Sequence, residues 1–512
     1  MEISVSWTAY YNSSLAVADA LGARLRILSV ALLPEYVTAT VPADNFTASI
    51  PWSRASSTSV PSFSAFCFYY GVQNAEAYPE VPVGLIANPW GGVAIQVYMS
   101  PSALAACPAP TKKNFSSKTI ATAEAIVAAD RAVASMRNGA SPTNGSCLYN
   151  SMMHPLLSIP IGLLLWLQGE SNSVDPVGYE CLQRAMVNDF RSSWAAVGAA
   201  PVLPFLFVQL ACWPDGNGAV IANFRYAQSQ LSREPRTGMA VSADLCDPAG
   251  AFHPIHPPWK AELARRAFLW ADAEIYGNSS SPRAAPVVTQ LYWDAWDASW
   301  GDFHWGTGAG SYVCGSGGTF TCGGVRLTFD RPVALRDFYM PPSAGATERV
   351  YGWAQGAASG FTISQGSAWV QPMALTGVSA DGLTVQLNVT YIGPGQPQGA
   401  ELQYAWSDYP AAMPLIELSS GLPVAPFNLT VARSPPRPTN GTCTFLANTD
   451  GASDGVAVPG GSQDACCAAC WANVNCVAAA FSSAAPTECW LKYGAAQTPK
   501  VGTTLCVIND GR

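Results

Sequence analysis

The amino-acid sequence predicts an α/β fold with a parallel sheet and helices on both faces, followed by an antiparallel β domain and a small disulfide-rich C-terminal domain. Short apolar runs alternate with longer amphipathic runs up to about residue 276. Residues 287–430 are instead rich in Gly, Thr, Val and aromatic residues, and seven of the 15 cysteines lie in 443–506. We therefore expect domains at 1–280, 281–432 and 433–512, and a chain of 512 residues is long enough for several cores.

The first domain is predicted from five apolar runs and the helical patterns between them. The strands are expected at Leu25–Leu32, Val83–Ala87, Ile159–Leu167, Phe205–Leu210 and Met239–Ala243. The helices are expected at Phe63–Ala77, Ile120–Arg137, Gly178–Trp194, Phe224–Arg233 and Trp259–Ile275. In sheets of this kind ligands bind at the carboxyl ends of the strands, so the residues that follow each strand are the candidates for chemistry.

The later domains are predicted from turn residues, short alternating runs and cysteines. Cys314 and Cys322 are expected to bridge a hairpin of the β domain. Arg433–Asn440 is proline-rich and reads as a stiff spacer. The cysteines beyond it favour disulfides, because a small segment cannot bury much apolar core. Zinc is the alternative, but the segment has no histidine and no two matched Cys-x-x-Cys halves.

Composition excludes several classes of function. The net charge is −8 and Lys and Arg are not clustered, so no nucleic-acid partner is expected. The longest apolar run, Leu156–Leu167, is interrupted by Ser158 and Pro160 and is too short to span a membrane. No metal-ligand spacing, phosphate-binding loop or dinucleotide fingerprint occurs, so no cofactor or metal is expected.

The cysteines and glycosylation sequons indicate a secreted or lysosomal glycoprotein. Yet Met1 and the four residues after it have neither the basic region nor the apolar region of a signal peptide, so we expect the start of the protein to be missing. The eight sequons begin at Asn12, Asn45, Asn114, Asn144, Asn278, Asn388, Asn428 and Asn440.

Three strand-end segments carry candidate site residues. Gln168-Gly-Glu-Ser-Asn172 offers an amide that can donate to an oxyanion, or else forms an ordinary capped turn. Gly91 and Gly92 can present backbone N–H groups to an anion, or else form a tight turn. His256, which follows His253 on the last loop, can act as a general base, or else is a structural histidine. Ser171 is not favoured as a nucleophile, since the second glycine of a nucleophile elbow is absent.

These segments resemble a known family. Gly84–Ile95, Trp166–Asn172, Asp244–Asp247 and Ile255–Pro257 occur in the order found in sialate O-acetylesterases, serine esterases of the SGNH hydrolase class. The resemblance extends to about residue 430, and Trp-x-Gln-Gly-Glu-Ser is its most specific motif. The cysteine pattern from Cys466 to Cys489 resembles PAN/apple modules, which implies a glycan or protein ligand for the tail.

The resemblance implies roles for individual residues. His256 is similar to the general base, and Gln168 with Gly91 or Gly92 to the oxyanion-hole donors. Glu170 is the preferred carboxylate for orienting His256, with Asp244 and Asp247 as alternatives, and a dyad without a third member is a further one.

The nucleophile is where the chain departs from the family. Met1-Glu2 matches only the end of the family motif Gly-Gln-Ser-Asn-Met-Glu. No nucleophile is therefore expected in this chain, and the first strand of an SGNH-like sheet is expected to be missing. An unfilled slot or an exposed edge should mark its place. The chain as given is expected to lack turnover.

The function implied by the resemblance is hydrolysis of O-acetyl esters on sialic acid or another carbohydrate. A catalytically inactive secreted protein that binds carbohydrate or protein is one alternative. A structural protein of the cell wall or matrix, suggested by the Ala, Pro and Gly content, is another.

Overall fold

The computed structural model describes most of the first 295 residues and separate segments of the remainder. The described residues are 3–107, 142, 145–198, 200, 202–213, 218–246, 255–295, 304–305, 312–313, 321–335, 338–339, 350–351, 360–364, 370–372, 374–391, 400–408, 410, 413–431, 442–451, 456–459, 462–472, 478–482, 488–492 and 497–509.

The first sheet has three strands in the order β2-β1-β3: β1 at Leu25–Val30, β2 at Ala48–Arg54 and β3 at Val83–Ala87. β1 and β3 are parallel, with Leu25 opposite Val83. β1 is almost entirely buried, as expected of an apolar strand covered on both faces. β2 is antiparallel to β1 and lies at the edge, where Pro51 removes no hydrogen bond needed by a further strand.

The second sheet has three parallel strands in the order β4-β5-β6: β4 at Leu164–Trp166, β5 at Phe205–Val208 and β6 at Thr237–Ala240. All four residues of β5, the central strand, are buried. The parallel pairing expected of the first domain is present, but the expected single sheet is not. The described strands form two separate three-stranded sheets, and β3 and β4 are the edge strands between them.

Among the described residues, six helices accompany these sheets: α1 at Tyr11–Leu21, α2 at Ala65–Ala77, α3 at Pro101–Ala105, α4 at Pro176–Ala195, α5 at Val220–Ser229 and α6 at Lys260–Glu274. The Ser64 side chain caps α2 by accepting from the Cys67 amide, and Asp175 caps α4 by accepting from the Gly178 amide. Shorter helical turns lie at Val5–Trp7, Pro34–Thr38, Ile95–Tyr98, Tyr149–Met153, His154–Ser158, Glu170–Asn172 and Gln230–Arg233.

The next segment is built from short, mainly antiparallel strands, as its turn-rich composition predicts. β7, β10, β16 and β17 form one sheet in the order β16-β17-β10-β7, and β14, β15, β18 and β20 form another in the order β15-β14-β18-β20. The bounds are β7 Val288–Ala295, β8 His304–Trp305, β9 Tyr312–Val313, β10 Thr321–Phe329, β11 Val333–Leu335, β12 Phe338–Tyr339, β13 Val350–Tyr351, β14 Phe361–Ser364, β15 Val370–Pro372, β16 Ala374–Val378, β17 Thr384–Tyr391, β18 Glu401–Tyr404, β19 Leu415–Glu417 and β20 Phe427–Thr430.

The C-terminal segment forms a five-stranded antiparallel sheet in the order β21-β25-β23-β24-β22, together with helix α7 at Gln463–Ala472. The Cys466–Cys489 disulfide joins α7 to β24. This supports the prediction of a disulfide-containing tail, whereas the PAN/apple resemblance stays a prediction. The strand bounds are β21 Thr442–Gly451, β22 Val456–Pro459, β23 Ala478–Ser482, β24 Glu488–Lys492 and β25 Gln497–Asn509.

Three apolar cores are present among the described residues. One lies around the first two sheets, and a small one in the C-terminal segment contains Leu505. The core of the β segment also includes Val241 and Ala243, which directly follow β6. The carboxyl end of β6 is thus part of the β segment's core, and the first two parts of the chain share apolar packing.

A buried arginine strengthens the same junction. The Arg225 guanidinium on α5 donates to the carbonyls of Leu210 and Ala211 at 2.8 and 2.6 Å, and to those of Ser407 and Asp408 at 2.8 and 3.2 Å. Burial lowers the pKa of Arg225 to about 9, so it is still charged at neutral pH. Its four carbonyl partners offset the cost of burying that charge.

Several predictions concern segments that the structure does not describe. The helix expected at Ile120–Arg137 and one cysteine of the expected Cys314–Cys322 bridge lie outside the described residues. The domain boundaries at 280 and 432 stay predictions. No helix among the described residues is long and apolar enough to cross a bilayer.

Candidate functional site

A groove of about 600 Å³ lies between the two three-stranded sheets of the first part. β3 and β4 both line it, and the loops after these strands form its polar end. Gly91 and Gly92 come from the first loop, and Gln168 and Glu170 from the second. The structure therefore brings four of the predicted site residues, from two segments far apart in sequence, to one groove.

Gln168 joins the two loops. Its Nε2 donates to the Val93 carbonyl at 3.0 Å and to Asn172 Oδ1 at 2.9 Å, while its Oε1 accepts from the Tyr179 hydroxyl at 3.0 Å. Burial raises the pKa of Tyr179, which therefore stays a donor. Both amide hydrogens of Gln168 are thus used within the protein, and donation to a bound oxyanion requires it to give up one of these bonds.

Asn172 also joins the two loops, a role that the sequence analysis did not predict. Its Oδ1 accepts from the Ile95 amide at 2.8 Å, and its Nδ2 donates to Gln96 Oε1 at 2.9 Å. One signal was present in the sequence, since Asn172 closes the motif that begins at Gln168, but Ile95 and Gln96 lie in a loop more than 70 residues away.

The structure explains why glycine is present at two positions of the site. A Cβ on Gly169 would lie 2.6 Å from the Phe224 ring, so a larger residue there would push the turn off α5. Gly92 has a φ of +70°, a conformation that favours glycine. These glycines let the backbone of both loops approach the polar end closely.

Glu170 begins the helical turn Glu170–Asn172, and its side chain is buried. Ser171, the next residue, is also buried and is not among the described residues that line the groove. The structure therefore gives no reason to favour Ser171 as a nucleophile.

Asp244 lies after β6 in a buried ion pair. Its two carboxylate oxygens accept from Arg266 at 2.6 and 2.7 Å, and both side chains are 1% exposed. Burial alone would lower the pKa of Arg266, but the charges of Asp244 and Glu262 outweigh it and raise that pKa. Asp244 thus holds α6 to the end of β6.

His256 is buried in the loop that precedes α6, with 7% of its surface exposed. Lys260 Nζ donates to the Pro257 carbonyl at 2.9 Å, and the Ala9 amide donates to the Pro258 carbonyl at 3.3 Å. These bonds fix the loop beside the first turns of the chain. His256 is not among the described groove-lining residues, and Asp247 and His253 lie outside the described residues.

The described residues contain no group of three or more His, Cys, Asp or Glu side chains suited to hold a metal ion. A disulfide between Cys212 and Cys246 joins the loops that follow β5 and β6. The carboxyl edge of the second sheet is thus held by covalent and hydrogen bonds.

The fold resembles that of a carbohydrate-active hydrolase. A crystal structure of a carbohydrate acetylesterase from Xanthomonas citri is similar with a TM-score of 0.58 and 24% sequence identity, over 84% of this chain and 78% of that one. At this identity the likeness defines the fold only.

The sequence is similar to sialate O-acetylesterases. The human enzyme is 27% identical over 261 residues, which is 47% of this chain and 46% of that protein. The mouse enzyme is 28% identical over 326 residues, 57% of each chain. The chain spans about half the length of these relatives, and no known protein-family model matches it. The resemblance predicted from the motifs is thus supported for the esterase part.

Proposed function

We propose that the groove is the substrate site of a carbohydrate O-acetylesterase, similar to sialate O-acetylesterases and acting on O-acetylated sugars. One observation carries the proposal: residues chosen from two separate motifs, Gly91 and Gly92 on one loop and Gln168 and Glu170 on another, line the polar end of the same groove. The similarity to sialate O-acetylesterases supports the same reaction.

The proposed chemistry is acyl transfer through a serine hydroxyl. The hydroxyl oxygen attacks the acetyl carbonyl carbon while His256 takes its proton, and N–H groups at Gly91, Gly92 and Gln168 stabilise the oxyanion. The ester C–O bond then breaks, and His256 returns the proton to the sugar oxygen. Water attacks the acetyl-serine in the same way and releases acetate. We assign no residue of this chain as the nucleophile.

Glu170 is proposed to orient His256, since it lies in the Gln-Gly-Glu turn at the polar end. Asp247 is an alternative, and a His256 dyad is another. Asp244 is the weakest of the three carboxylates, because both its oxygens already accept from Arg266. We also propose that the protein acts in the secretory pathway and that its tail binds a glycan or a protein.

A second candidate is a sugar-binding protein without turnover. The observation that favours it is the Gln168 amide, whose two hydrogens are donated to Val93 and Asn172. A binding protein can keep this bridge permanently, whereas an esterase must rearrange it.

The test is acetate release from O-acetylated sialic acid and acetylated xylan. We expect none from the 512-residue chain. We expect release from a version with an apolar strand and Gly-Gln-Ser-Asn fused ahead of Met1, and its loss with a serine-directed inhibitor or His256→Ala.

The matched control is His154→Gln, since His154 contacts only the Ala43 carbonyl among the described hydrogen bonds. Undiminished release by the His256→Ala variant would overturn the proposal, and sugar binding without release would favour the second candidate.

A further inference from the structure

The turn that carries Gln168 rests on helix α5. Gln228 Nε2 donates to the Gln168 carbonyl at 3.3 Å, and Gln228 Oε1 accepts from the Leu210 amide at 2.9 Å. The Phe224 ring lies so close to Gly169 that a Cβ on this glycine would be 2.6 Å from it. Gln228 and Phe224 are both fully buried. The polar end of the groove is therefore held by α5 on one side and by the loop after β3 on the other.

Phe224 also supports the Gln168 side chain. Its ring packs on the Tyr179 ring with the centroids 4.4 Å apart, and the Tyr179 hydroxyl donates to Gln168 Oε1 at 3.0 Å. Helix α5 thus contacts the main chain of Gln168 directly and its side-chain amide through Tyr179. A shift of α5 would move the amide that is proposed to stabilise the oxyanion, and small displacements of such groups cost much of the rate.

The first turn of α5 obtains its cap from the β segment. The first amides of a helix have no acceptor within the helix, and Ala219 at the N-cap position has no side-chain acceptor to offer. Asp408, which follows β18, supplies two acceptors instead. Its Oδ1 accepts from the Ile221 amide at 2.6 Å and its Oδ2 from the Gly218 amide at 3.2 Å. The helix dipole also favours a carboxylate at this end.

Main-chain bonds fix Asp408 against the first part of the chain. Its amide donates to the Gly218 carbonyl at 2.8 Å, and its carbonyl accepts from the Trp213 amide at 2.9 Å and from Arg225 at 3.2 Å. Asp408 has 0% of its surface exposed. Replacing its side chain therefore removes the cap of α5 and leaves these three main-chain bonds in place.

We propose that Asp408 is a positioning residue for the Gln168 turn: the β segment fixes the first turn of α5, and α5 fixes the turn. The effect on the order of the turn is independent of the reaction, whereas its effect on catalysis rests on the proposed function. None of the described residues of the β segment lines the groove. This segment thus sets the geometry of the polar end without contacting the substrate site.

The test is hydrogen exchange of the whole 512-residue chain. The amides of Asn172 and Ser173 donate to carbonyls within the turn, so their exchange reports its order. In Asp408→Ala we expect exchange at these amides and in the first turn of α5 to be at least about tenfold faster, with β1 within about twofold of the unmodified protein. A side chain that contributed to global stability alone would accelerate exchange in β1 as well.

A second substitution tests the route through α5. Ala219→Asp places a carboxylate at the N-cap position, where it can accept from the Ile221 amide in place of Asp408. Added to Asp408→Ala, it should restore slow exchange in the Gln168 turn. If Asp408→Ala does not fold, Asp408→Asn replaces it. Asparagine keeps one acceptor oxygen, so about threefold faster exchange in the turn is expected.

The matched control is Asp381→Ala. Asp381 is an exposed carboxylate of the same β segment, and it accepts from Ser379 and Leu383 within its own turn. Its loss should leave exchange in the Gln168 turn unchanged.

Activity separates this inference from the proposed function. In the version with the strand and Gly-Gln-Ser-Asn fused ahead of Met1, Asp408→Ala should lower kcat for acetate release at least about tenfold and keep KM within about twofold, because an oxyanion donor acts in the transition state. If exchange changes as expected but the fused version releases no acetate, the positioning role stands and the proposed function fails.

Three results would overturn the positioning role. They are unchanged exchange at Asn172 and Ser173 in a folded Asp408 variant, equal acceleration in β1, and failure of Ala219→Asp to restore slow exchange. An unchanged kcat in an active fused version carrying Asp408→Ala would overturn its effect on catalysis.

Discussion

At the scale of single residues, the polar end of the groove depends on amides that are already hydrogen-bonded. Gln168 and Asn172 join two loops by three bonds of 2.8–3.0 Å, and a fourth bond links the two side chains to each other. The motif predicted that these residues matter. The number of their amide hydrogens left for a ligand depends on Val93 and Gln96, which accept such hydrogens and lie in the loop after β3. Sequence could therefore identify the site residues and not their hydrogen-bonding state.

Asp244 offers a test of structural against catalytic roles. Replacing it by asparagine leaves the fully buried Arg266 charge with Glu262 as its remaining carboxylate partner among the described ion pairs. We expect Asp244→Asn to lower the free energy of unfolding by about 3 kcal/mol, measured by urea denaturation.

The control for this prediction is Glu262→Gln. The Glu262 side chain is 26% exposed, so solvent screens its interaction with Arg266 and its loss should cost less. Equal stability of Asp244→Asn and the unmodified protein would contradict a structural role for Asp244.

At the scale of elements, most helices and strands of the first part were predicted within a few residues, and the misses have local causes. β4 was expected over Ile159–Leu167 but spans Leu164–Trp166, because Pro160 cannot donate to a ladder and the Ile159 amide bonds back to Leu156. β2 was missed because Pro51 interrupts its pattern, which only an edge position tolerates. α1 was missed because its first turn has Asn12 and Ser13, which favour turns.

The packing of α6 on β6 gives a prediction at this scale. A Cβ at Gly238 would overlap the Trp270 ring, and both residues belong to buried elements. We expect Gly238→Ala to destabilise the protein by about 2 kcal/mol, measured by urea denaturation, because helix and sheet must separate. Gly162→Ala is the control, since a Cβ there meets nothing within 4 Å. A loss of the same size in both variants would show that the helix contact is not the cause.

At the scale of the whole molecule, the sequence predicted the order of three parts but not how they share cores. The alternation of runs located the sheet, yet no pattern showed that its described strands form two separate sheets, because strand neighbours depend on long-range pairing. Likewise, Val241 and Ala243 were predicted at the end of a strand of the first part, whereas they pack in the core of the β segment. The C-terminal core around Leu505 is a separate cluster.

This sharing of cores predicts which parts unfold together. Val241→Ala removes buried volume where the first two parts meet and should lower the stability of both by about 2 kcal/mol, seen as one shifted transition in calorimetry. Leu505→Ala should lower only a second transition, that of the disulfide-linked tail, because its cluster contains no residue of the other two cores. If Val241→Ala moved the transition of the β segment alone, the Arg225 bonds and the shared core would not be enough to make the first two parts one cooperative unit.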